Sequence, residues 1–260
     1  MKKFIKFLAA TLSVIVMSLS AVGCSACNSD IALEDGTLTV GYTIYAPMNY
    51  FDAEENFVGF DTELAKEVGK LLGVEVEFVE INWDNKVMSL NGKEIDAIWN
   101  GMTITDELSQ ATSITDPYLD NRQVIVCQQS VAANYTTQQS LLNAAEILVE
   151  AGSAGENAAK SVAGIDQSKI RTASAQKDTL LEVLTSSSKV AIIDSNMAKV
   201  LTGAGTSYSS LTYVNVDFPL EQFGIAFRKD DVSSRDAVNS AINTLKTNGV
   251  YNTLFNKYFG

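Results

Sequence analysis

From Thr37 onward, short apolar runs alternate with stretches whose apolar residues recur every three or four positions. The runs Leu38–Tyr42, Val74–Glu80, Ile95–Trp99, Val124–Gln128, Ile147–Glu150, Val190–Asp194 and Phe223–Phe227 are rich in β-branched residues and read as strands. Between them, Leu64, Val68, Leu71 and Leu72 share one face of a helix that ends near Gly73. Leu180, Leu181 and Leu184 do the same in a helix ending at the Ser186–Ser188 turn, and Ala237–Tyr258 carries Val238, Ile242 and Leu245 before a break at Gly249. This alternation predicts an α/β protein with mostly parallel sheets flanked by helices. Such sheets bind ligands beyond the carboxyl ends of their strands. Attention therefore falls on Thr43–Phe51, Asn100–Thr103, Ala151–Gly155 and Asp194.

The first residues follow a different pattern. Lys2, Lys3 and Lys6 precede an apolar stretch from Phe7 to Leu19 and then small residues up to Cys24. This predicts a secretory signal over 1–23, too short to be a spanning helix. Ala21-Val22-Gly23-Cys24 resembles a bacterial lipobox and makes Cys24 the expected lipidation site, with palmitate among the attached chains. Cys27 is the weaker candidate, and ordinary signal cleavage is the alternative. Residues 24–36 are small and polar, as a flexible tether would be.

Composition narrows the chemistry. The 260 residues are 46% hydrophobic and 19% charged, which suits a packed protein. The net charge of −12 disfavours nucleic acid and anionic membrane surfaces as partners. The chain has no histidine. That removes Ser-His-Asp and Cys-His catalysis and imidazole-based zinc sites. No catalytic residue, metal ligand or cofactor is assigned. Cys127 ends the run Val124–Val126 and is expected to be a buried small hydrophobe. Gly203–Ser207 lacks the lysine of a phosphate-binding loop.

Several segments then occur in a telling order: Tyr45–Tyr50, Gly59–Asp61 with Leu64-Ala65, Trp99–Glu107, Asp116–Tyr118, Gly224–Lys229 and Tyr258–Gly260. Together they resemble family 3 of the bacterial extracellular solute-binding proteins, the polar amino acid receptors of ABC importers. The resemblance implies a two-lobed type II binding-protein fold that closes about a hinge. Lobe 1 would comprise 37–123 plus 223–260, and lobe 2 would comprise 124–222. It further implies an extracytoplasmic, lipid-anchored, monomeric receptor that serves an ABC permease and captures an amino acid or related amine.

Carried over by position, Tyr45 and Trp83 would sandwich the ligand side chain. Gly101, Met102 and Thr103 would line the site, with backbone and hydroxyl groups of Gly101 and Thr103 turned to the ligand. Gly152, Ser153 and Ala154 would present amides at a helix start, and Asp194 would receive the ammonium. Two positions depart from the family pattern. Leu108 stands where an arginine clamps the ligand carboxylate, and Glu150 stands where a neutral or basic residue is usual. Both changes move the expected cleft toward negative charge. Three explanations stay open: an α-amino acid held by the helix start and Thr103 without the arginine, a ligand that lacks a carboxylate or carries extra positive charge, or loss of transport binding. A dehydratase on the same scaffold and a surface sensor or adhesin with a vestigial cleft are the rival functions.

Overall fold

A computed structural model describes residues 32–260. The expected signal segment, Cys24, Cys27 and the first part of the expected tether lie outside the described residues.

The first half of the sheet grows around β1 (Thr37–Tyr42). After a two-stranded ribbon, β2 (Tyr50–Phe51) and β3 (Phe57–Val58), the chain enters α1 (Phe60–Leu72). Leu64, Ala65 and Val68 face inward there, whereas Leu71 is exposed, and left-handed Gly73 closes the helix as its sequence position predicts. Then follow β4 (Glu75–Glu80), α2 (Lys86–Asn91), β5 (Ala97–Thr103), α3 (Asp106–Ala111) and β6 (Ser113–Ile114). The long β7 (Leu119–Gln128) leads into the second half: β8 (Glu146–Glu150), α4 (Ala154–Ser161), β9 (Ile170–Ala173), α5 (Gln176–Thr185), β10 (Lys189–Asp194), α6 (Ser195–Leu201) and β11 (Leu211–Val214). β12 (Leu220–Phe227) returns to the first half, where α7 (Val232–Thr247) and α8 (Val250–Phe259) complete it.

The strands form one path in the order β4-β1-β5-β12-β7-β10-β8-β9. At its two ends the pairing is parallel, β4-β1-β5 and β10-β8-β9. Where the chain crosses between the halves it is antiparallel, with β12 against β5 and β7, and β7 against β10 and β11. The result is a two-lobed α/β fold whose lobes share β7 and β12.

Each face of the sheet is covered. Leu64, Val68, Val238, Ile242 and Leu245 cover one face beside β1, and Trp83, Leu90, Ile98 and Met102 pack on the other. In α5 the inward residues are Leu180 and Val183, while Leu181 is exposed, so the expected leucine face is rotated. Cys127 is buried as expected, and burial pushes its thiol up to about 11, leaving little thiolate at neutral pH. The packed body starts before β1. Ala32 is buried and donates its N–H to the Asp231 carboxylate at 2.7 Å, so the last residues of the expected tether are docked at the start of α7.

Candidate functional site

The loops after the parallel strands meet between the lobes. They enclose a cavity of about 280 Å³ lined by Tyr45, Trp83, Gly101, Met102, Thr103, Leu108, Glu150, Gly152, Ser153, Ala154 and Asp194. Every residue singled out in the body of the chain as a site or specificity position thus lies on one wall or another. A larger groove of about 610 Å³ runs between α6 and α8, away from these strand tips. Size does not locate the site; convergence of polar groups does.

Tyr45 is held by the loop that follows β1. Its carbonyl accepts from the Met48 and Asn49 amides, and its own amide donates to the Asn49 carbonyl at 2.8 Å. Beneath the loop, Asn100 donates to the Thr43 carbonyl and to the Asn49 side chain, and accepts from the Thr43 hydroxyl at 2.8 Å. The Asn49 amide group in turn donates to Thr62 in α1. A ring positioned by such a network is fixed before anything binds. The Tyr45 hydroxyl is buried with no hydrogen-bond partner among the described residues.

Gly101 has φ +57° at the tip of β5, and a Cβ there would lie 2.7 Å from the Tyr45 ring. Only glycine permits this approach. Its N–H does not face a ligand. It donates to the buried Asp61 carboxylate at 2.7 Å, which also accepts from the Tyr118 hydroxyl at 2.8 Å. Burial pushes Asp61 up to about 7, against the pull of those two donors and Trp99.

The α4 start differs from the expected row of three free amides. The Gly152 N–H donates to Glu156 at 2.8 Å, and that of Ser153 to the Glu150 carbonyl at 3.3 Å. Ser153 caps the helix by accepting from the Glu156 amide. Of these three amides, that of Ala154 lacks an acceptor among the described residues. Glu156 three positions into the sequence after Ser153 was the available signal, because Ser-x-x-Glu is a capping box.

Asp194, at the tip of β10, accepts from the side-chain amides of Asn121, Gln123 and Gln176. Asn121 and Gln123 also donate to Glu221, which accepts from the Thr103 hydroxyl as well. Burial and the Glu221 charge raise Asp194 to about 7 despite its amide donors. Glu150 is raised to about 8 by burial and by Asp194, with Gln176 and Lys86 pulling the other way, and its Oε1 has no hydrogen-bond partner among the described residues. A buried, under-partnered carboxylate such as Glu150 is a site for a cation or a proton.

Sequence reasoning missed Glu221, Lys86 and Gln176. Glu221 lies on the crossing strand rather than at a strand tip. Lys86 opens α2 and reaches the opposite lobe, donating to the Gly152 carbonyl at 2.8 Å. Gln176 opens α5 far from any recognised motif. The lobes also touch where a Cβ on Gly152 would lie 2.7 Å from the Asp84 carboxylate.

Two lobes sharing a pair of crossing strands, with a small polar cavity between their strand tips, define a solute-binding protein. The chain belongs to family 3 of the bacterial extracellular solute-binding proteins, whose sequence profile matches residues 38–260. It is similar to the arginine-binding extracellular protein ArtP of Bacillus subtilis, at 30% identity over 265 aligned positions spanning 100% of this chain and 98% of that protein. Among solved structures, an ancestral arginine-binding protein bound to arginine matches with a TM-score of 0.80 at 29% identity, covering 86% of this chain and 99% of the other. The ancestral amino acid-binding protein AncCDT-1, a precursor of cyclohexadienyl dehydratase, matches with a TM-score of 0.78 at 31% identity, over 87% and 96% of the two chains.

Proposed function

We propose that this protein is the extracytoplasmic receptor of an amino acid ABC importer and that it captures a cationic amino acid, or a related amine, between its lobes. The observation that carries the reading is the charge of the cavity wall. Among the described residues, Asp84, Glu107, Glu150 and Asp194 line it against a single cation, Lys86. Tyr45 and Trp83 supply flat apolar surface for a ligand stem, and Asp194 is the partner for an α-ammonium. Glu150 is the acid for a second positive group. A volume near 280 Å³ suits a metabolite rather than a peptide. The similar arginine-binding proteins agree with this choice of ligand class.

The rest of the reading follows the family. Lobe 1 comprises 37–123 plus 223–260 and lobe 2 comprises 124–222, with closure about β7 and β12 bringing the walls onto the ligand. The receptor acts as a monomer, is tethered through lipidated Cys24 and delivers its ligand to a membrane permease. Mass spectrometry of the small molecule released from freshly purified, denatured protein tests the ligand assignment. A basic amino acid or polyamine is expected; recovery of glutamate or aspartate would contradict it.

One observation favours a dehydratase instead. Glu150 at about 8 keeps its proton at neutral pH, as a general acid must. Incubation with arogenate or prephenate separates the two readings, since a receptor returns them unchanged.

A further inference from the structure

We propose that Lys86 is the anion-recognising residue of the cleft and that its ammonium, beside the Ala154 amide, takes the carboxylate of the bound amino acid. The inference rests on the proposed amino acid receptor and narrows it, because an amine without a carboxylate would leave this group unused.

Among the described residues, Lys86 is the only cation that lines the cavity, and just 8% of its surface is exposed. Its Nζ donates to the Gly152 carbonyl at 2.8 Å and to the Trp83 carbonyl at 3.2 Å, and lies 4.9 Å from the centre of the Trp83 ring. An ammonium has three N–H donors, so one is uncommitted. None of the ion pairs among the described residues includes Lys86. Its two direct partners are neutral carbonyls, which compensate poorly for removing an ammonium from water, and burial lowers its pKa against the pull of Glu150, Asp84, Glu107 and Glu156. None of these acids is in ion-pair contact with its Nζ, and a ligand carboxylate would take that place.

Position agrees with chemistry. The carbonyl that Lys86 engages belongs to Gly152, two residues before Ala154, whose amide is an uncommitted donor at the start of α4. A helix start favours an anion, and the lysine adds a full charge beside it. Each of the three charged groups of a basic amino acid then has a partner on the wall. The carboxylates Asp194 and Glu150 face the two positive groups of a basic amino acid, and Lys86 faces its one negative group. Because Lys86 comes from the lobe opposite Gly152, the ligand carboxylate would also join the lobes.

The test compares L-arginine with agmatine, which has the same guanidinium but no carboxylate, by calorimetric titration of the wild-type protein and Lys86→Met. Wild type is expected to bind arginine at least 30-fold more tightly than agmatine, the usual scale for an unpaired buried charge. Lys86→Met should lose that factor for arginine while agmatine binding stays unchanged or tightens. Adding Leu108→Arg, which returns a cation to the cavity wall, should recover arginine binding. Equal affinities of wild type for the two ligands would overturn the proposal without any variant. So would a loss in Lys86→Met that is the same for both, which is the signature of a merely structural tie between lobes. If wild type binds neither arginine nor agmatine nor L-lysine, the receptor reading itself fails, and this proposal with it.

Discussion

Glu150 sits within the cavity wall with one oxygen unpartnered, held near 8 by burial and by Asp194. At neutral pH it is mostly protonated, and Asp194, near 7, is about half so. A cationic ligand must displace these protons. Affinity for such a ligand should therefore rise as pH rises from 6 to 8.5, with protons released on binding; an affinity that falls over this range contradicts the assignment. The variant Glu150→Gln should flatten the rise and weaken binding of a basic amino acid roughly 30-fold or more. At this scale the sequence was informative where a residue stands at a strand tip. Tyr45, Gly101, Ser153 and Asp194 all follow predicted strands and all line the cavity. It was uninformative for Lys86 and Glu221, whose side chains meet partners 66 and 118 positions distant. No local pattern encodes such a meeting.

Among the elements, β7 and β12 are the least regular in sequence and the most consequential. Their shared stretch runs through Leu119–Arg122 and Leu220–Phe223, where polar residues break any apolar alternation. Hence the sequence predicts strands only from Val124 and from Phe223, where apolar side chains meet the two cores. The polar part is needed because one face of the crossing carries the Asn121 and Gln123 amides that serve Asp194 and Glu221. Gln123, like Asn121, donates to both, at 2.9 Å from each carboxylate. Gln123→Leu would leave both acids short of a donor, at a cost of about 1–3 kcal/mol each when ionised. We expect its melting temperature to fall more at pH 8 than at pH 5, where protonated acids need fewer donors. A pH-independent loss would point to packing instead. The edge strands β9 and β11 escaped notice because Ile170–Ala173 and Leu211–Val214 are short and only partly apolar.

For the molecule as a whole, the buried acids make the stability of the free protein depend on pH. Asp61, Glu150 and Asp194 all titrate higher in the folded state than their ordinary values near 4. The folded chain thus holds more protons than the unfolded one between about pH 4.5 and 8, and stability without ligand declines as pH rises through that window. Ligand binding restores stability by mass action. The two-lobed outline was legible because strand–helix alternation and the order of motifs extend along the body of the chain. Where the lobes touch was not, since Lys86–Gly152 and Asp84–Gly152 are contacts between opposite halves of the sheet. Calorimetric titration of the mature protein at pH 8 with L-arginine, L-lysine, L-glutamine and L-glutamate tests the central claim most directly. The account predicts saturable one-to-one binding that favours the basic amino acids. Tighter binding of glutamate, or no binding of any of the four, would contradict it.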